Sequence, residues 1–150
     1  MERQLGYSIQ MQAIIFVAAI IILTAVLYIA AEWKILDKAG EKGWKALIPF
    51  YNVFVAHHIT GMSHVWFISE VITWVVGFVL QMVPSIPRPL AAVFIAAAGI
   101  FTIICEFIHA IRLCNCFGKG TGFKIGMILL PGLFMMIIGF GKSEYQKPNH

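Results

Sequence analysis

Glu70, Glu106 and His109 are the ionisable residues that lie within apolar runs of this 150-residue chain. Carboxylates and imidazoles are costly in hydrocarbon, and where they occur they mark cation paths, proton relays or ligand sites. Glu106 and His109 stand three apart, so a helix presents them side by side, and Glu-x-x-His is the pairing by which helical bundles offer two ligands to a divalent metal. Cys105, His109, Arg112 and Cys116 recur at helical spacing and draw a polar stripe. Glu70, Trp74, Gly77 and Gln81 repeat that spacing on an earlier segment, where Gly77 admits a close neighbour. Two readings follow. In one, Glu70, Glu106 and His109 form a proton or divalent-metal site, with His57, His58 and His64 as further candidate ligands at its mouth. In the other, Arg112 or His109 pairs with Glu106 or Glu70 and fastens two helices without chemistry.

The elements that carry these residues are set by composition. Hydrophobic residues make up 60% of the chain and charged residues 12%, and the mean hydropathy is +0.86. Soluble domains carry about a quarter charged residues, so a water-soluble enzyme or nucleic-acid binder is excluded. The expected fold is all-α, a single polytopic membrane domain over residues 1–150. Four spans are predicted at 13–31, 65–83, 89–111 and 123–140, each near the length that crosses about 30 Å of hydrocarbon. A cleaved signal peptide is the rival reading of the first run, but the run is long and has no small-x-small cleavage site. Pro131 is expected to kink the fourth span. Residues 44–58 are apolar but short and interrupted by Pro49 and Asn52, which predicts an interfacial or re-entrant segment; a fifth span is the alternative.

Four spans put Glu70 and Glu106 at similar depth, about five residues or roughly 7 to 8 Å inside one face. The net charge of +4 then reads as an orientation signal. Lys34, Lys38, Lys42, Lys45, Arg112, Lys119 and Lys124 fall on one side, and Arg3, Arg88, Lys142 and Lys147 on the other. This predicts a multi-pass protein of the cell membrane with both termini outside the cytoplasm.

Other chemistries find little support. The stretch Gly118-Lys119-Gly120-Thr121 lacks the preceding strand, the glycine spacing and the Lys-Ser/Thr step of a phosphate loop, and reads as a tight turn. No lysine lies deep within a span to activate a serine, Lys124 standing at the edge of the fourth, so no catalytic residue is assigned. Three cysteines make no disulfide framework.

The run KAGEKGWKALIPFYN at 38–52, then CFGKGTGF at 116–123, then Leu129-Leu130-Pro131, Gly139-Phe140-Gly141 and Tyr145 resemble a family of small bacterial membrane proteins, domain of unknown function 5684. The resemblance covers roughly residues 33–145. It implies a four-to-five-helix fold in which Pro49, Tyr51 and Asn52 make a shared turn and Gly118, Lys119, Gly120 and Pro131 are structural. It is silent about activity, and a signal peptidase label carried by some relatives has no serine–lysine pair here to support it. His57, His58, Glu70, Glu106 and His109 lie outside those motifs.

The expectation is therefore a subunit that acts by association in a membrane complex, with lipid and other membrane subunits or further copies of itself as partners. A proton- or metal-coupled transporter or channel working as a homo-oligomer is the alternative.

Overall fold

A computed structural model describes residues 2–83 and 86–148, with side chains from residue 10 onward; the Arg3 side chain in the orientation count therefore lies outside the described residues. Among these residues there are six α-helices, one 3-10 helix and no strand. The helices are α1 (Glu2–Lys38), α2 (Tyr51–Ile59), α3 (His64–Met82), α4 (Arg88–Cys116), α5 (Thr121–Leu129) and α6 (Pro131–Phe140), with the 3-10 turn at Gly43–Leu47 between α1 and α2.

Three of these helices are long and apolar enough to cross a membrane: Gln10–Lys38 within α1, α3 and α4. The first three expected spans are thus present, the first and third extended. The fourth is not one continuous helix. Pro131 cannot tolerate a helical residue before it, and Leu130 takes φ −137°, ψ 65°, ending α5 and starting α6 afresh. The chain folds back there. The Phe134 ring lies against Gly126 and meets Phe123 edge-on at 4.7 Å. Each arm of nine or ten residues reaches only about 14 to 15 Å, half the hydrocarbon thickness.

The hairpin also begins and ends at one level. After α6, the Gln146 amide donates to the Cys116 carbonyl at the end of α4, and the Tyr145 hydroxyl donates to the Ile59 carbonyl at 2.6 Å. Burial, then the neighbouring Cys116 and Glu41, push the Tyr145 phenol above its usual range, which keeps it a donor. Three long helices rather than four place residue 2 at one end of the molecule. Pro148 lies at the other, beside Ala39 and His58.

Residues 44–58 hold neither a continuous segment nor a fifth span. They divide at Pro49 and Phe50 into the 3-10 turn and the nine-residue α2, which is too short to cross. Phe50 sits at φ 66°, a strained backbone for a bulky residue.

The core lies at one end of the bundle. Ile35 and Leu36 of α1, Val55 and Ile59 of α2, Leu113 and Phe117 of α4, Met127 of α5 and Met135 and Ile138 of α6 bury one another there. By contrast, α1 from Met11 to Leu27 is exposed all round, as befits a helix that is apolar on every face. Three helices enter this end with the same cap: Glu41 to Leu36, Met62 to His57 and Lys119 to Cys114 are 6→1 bonds over Gly40, Gly61 and Gly118. Each of those glycines has positive φ, the geometry of a Schellman turn.

The closest approach is between α1 and α6. A Cβ on Gly139 would stand 2.7 Å from the Ala31 carbonyl oxygen and 2.8 Å from its Cα, so backbone meets backbone. Gly139→Ala is expected to lower stability by about 1 to 3 kcal/mol through this overlap, read as a fall in Tm in detergent, whereas Gly132→Ala, where a Cβ meets nothing within 4 Å, leaves Tm in place.

Candidate functional site

Where α1, α2, α4 and the α5–α6 hairpin converge they enclose a chamber of about 220 Å³. Each wall follows from local sequence. Tyr28 and Glu32 stand four apart on α1 and so share its inner face. Asn52, in the first turn of α2, sends its amide Nδ2 to Glu32 Oε2 at 3.4 Å. His57 follows one turn later; its Nδ1 meets the Val53 carbonyl at 2.8 Å. Glu106 and His109 enter from α4, about two turns and one turn before the buried Leu113. Met127, Pro131 and Met135 close the apolar side from the α5–α6 hairpin.

Of the three residues expected to form a metal site, two come together and one does not. Glu106 and His109 both line the chamber, and Glu106 also borders an outward groove that it shares with Glu70. Glu70 is 7% exposed and its Oε2 faces His57 Nε2 at 4.0 Å. The partner of the α3 carboxylate is thus a histidine of α2, not Arg112 or His109: Arg112 donates to the Gly61 carbonyl at 2.9 Å. His109 instead stands ring to ring with His57, centroids 5.4 Å apart. Among the described residues no three His, Cys, Asp or Glu side chains converge as a group that could hold a metal ion.

The other candidates lie elsewhere. His58 and His64 stack 6.0 Å apart on the turn between α2 and α3, with Phe54 on the far face of His64 at 5.1 Å, and neither reaches the chamber. Lys119 sits 5.1 Å over the Phe123 ring, on the tight turn between α4 and α5. Tyr51 stacks on Phe54 at 6.0 Å and carries Lys45 over its ring at 5.7 Å; Lys45 in turn pairs with Glu41 at 2.5 Å. Two wall residues, Tyr28 and Glu32, were missed in the sequence because they occupy the end of a run that reads as an ordinary membrane exit. Their i, i+4 spacing was the available signal.

Donor and acceptor counting defines what the His57–Glu70 pair does. The Val53 carbonyl accepts only, so the hydrogen of a neutral His57 sits on Nδ1 and Nε2 presents a lone pair. That lone pair faces a carboxylate, another acceptor. His57 Nε2, Glu70 Oε1 and His109 Nε2 all lack a hydrogen-bond partner in the structure.

The profile of the family of unknown function DUF5684 matches residues 44–148. The chain belongs to this family. No curated protein and no solved structure matches it. The DUF5684 region contains Asn52, His57, Glu106 and His109, while Tyr28 and Glu32 stand outside it on α1, so the chamber is completed by a helix beyond the family profile.

In this DUF5684 chain, Glu70→Gln supplies the donor that the pair lacks. It is expected to leave Tm unchanged or raised, whereas His57→Ala, which strands a buried carboxyl and opens a void, is expected to lower stability by about 2 to 4 kcal/mol, both read by thermal unfolding in detergent.

Proposed function

We propose that the protein is an accessory or scaffold subunit of a membrane complex, acting through helix–helix association along the α3–α4 hairpin. The observation that carries this reading is a lateral groove of about 530 Å³ whose walls include Thr73, Gly77, Gln81, Ala98, Gly99 and Thr102. A Cβ on Gly77 or Gly99 would meet nothing within 4 Å, so neither glycine is needed for packing within this chain. Small residues of this kind let two helix backbones approach, and a Gln amide in hydrocarbon gains from a partner across the interface. The bare length of α1 offers a second surface for such contacts. No enzymatic activity belongs to this reading.

With three crossings the basic residues divide more sharply than with four. Lys34, Lys38, Lys42, Lys45, Arg112, Lys119, Lys124, Lys142 and Lys147 belong to the core end, leaving Arg3 and Arg88 at the other. The positive-inside rule then sets the core end and the C-terminal residues in the cytoplasm and the start of α1 outside, in a multi-pass protein of the cell membrane.

A second reading, a proton- or metal-coupled transporter or channel built from several copies, is favoured by the chamber, since ionisable groups at membrane depth commonly line ion paths. It requires flux through reconstituted vesicles that Glu106→Gln abolishes.

The association reading is tested by native mass spectrometry of protein extracted in mild detergent. The wild type is expected in an assembly larger than one chain, and the Gly77→Leu/Gly99→Leu double variant as a monomer of unchanged helicity. A wild-type protein that remains monomeric, alone and in extracts of its native membrane, contradicts it.

A further inference from the structure

The chamber has a composition that neither reading above requires. Its wall holds two carboxylates, Glu32 and Glu106, and no lysine or arginine. Two cations of the same end of the bundle are occupied elsewhere: Lys38 donates to the Ile138 and Gly141 carbonyls, and Arg112 to Gly61. Glu32 has one donor, the Asn52 amide, at 3.4 Å. Opposite the carboxylates the wall is apolar, made by Ile35, Leu113, Met127 and Met135. His109 also lines the chamber and keeps an unpartnered Nε2, while His57 lines it with its Nε2 turned to Glu70. Two carboxylates and one unpartnered imidazole nitrogen thus border a space beside an apolar wall.

We propose that this chamber binds a small organic monocation, an ammonium on a compact hydrocarbon body. Charge and shape both select it. Carboxylates in a low-dielectric space call for a positive partner, and the unpartnered His109 Nε2 suits an N–H donor. A bare divalent ion needs four or more ligands at about 2.0 to 2.6 Å, whereas no three candidate side chains among the described residues converge that closely. The volume of about 220 Å³ exceeds the roughly 150 Å³ that accommodates benzene, which sets the ligand at about seven or eight heavy atoms. Tyr28 and Glu32 supply the α1 half of the site, Glu106 and His109 the α4 half.

The test compares cyclohexylammonium with its neutral counterpart, cyclohexanol, by titration calorimetry on the full chain in phosphatidylcholine nanodiscs, with empty discs subtracted. One cyclohexylammonium per chain is expected, held about tenfold or more tighter than the alcohol. Glu32→Gln/Glu106→Gln is expected to erase that preference while leaving cyclohexanol binding as it was, which also reports that the chamber is still formed. Should the double variant not fold, Glu106→Gln alone is expected to weaken the ammonium and not the alcohol. Equal affinity for the two compounds, an ammonium preference that survives the Gln variants, or displacement of the ammonium by stoichiometric zinc overturns the proposal.

Discussion

A helix end leaves its last carbonyls without intrahelical partners, and at the end of α6 a single side chain meets that demand. Lys38 Nζ donates to the Ile138 carbonyl at 2.6 Å and the Gly141 carbonyl at 2.7 Å. The lysine reaches them because Gly139 lets the α6 backbone lie directly on Ala31. From this contact the rest follows. With α6 held against α1, the turn at Leu130 and Pro131 carries α5 back to α4, and Met127 and Met135 are delivered to the chamber wall. The C-terminal stretch then runs across the core end, where Gln146 reaches Cys116 and Tyr145 caps Ile59.

Several glycines, one proline and one tyrosine build this junction. Gly40 and Gly118 turn the chain at helix ends in a conformation other residues resist. Gly43 lies where a Cβ would strike the Trp33 indole and Asp37 Oδ1, while its amide bonds that same carboxylate at 2.9 Å. Pro131 enforces the reversal, and Gly139 and Tyr145 fasten the end. The chamber draws its polar wall from Tyr28, Glu32, His57, Glu106 and His109, outside the motifs that carry the family resemblance, with Asn52 alone shared.

The helical membrane class and the first three long helices were legible in the sequence, because apolar length is a direct signal. The fourth run was not, since 123–140 is as apolar as a true span and only Pro131 distinguishes it. A proline permits either a kink or a full reversal, and the choice between them is made by the Phe134–Gly126 contact and the docking of Gly139, which are tertiary. The same limit applies to the site. Shared depth predicted Glu70 opposite Glu106, and the two do border one groove, but the residue facing Glu70 is His57, brought there by the Pro49–Phe50 break that starts α2. Glu32 escaped notice because its partner Asn52 lies twenty residues on, across the 3-10 turn.

The account rests most on the α5–α6 pair entering and leaving by the same face, and labelling from one side of the membrane tests this directly. Gly120→Cys and Lys142→Cys, at exposed positions flanking the pair, are treated separately with a membrane-impermeant maleimide in sealed vesicles of known orientation. The native Cys105, Cys114 and Cys116 are buried and stay silent. Reaction of both introduced cysteines from the same side, with protection of both from the other, is the predicted result. Labelling of the two from opposite sides contradicts the account, for it means that residues 123–140 cross the membrane.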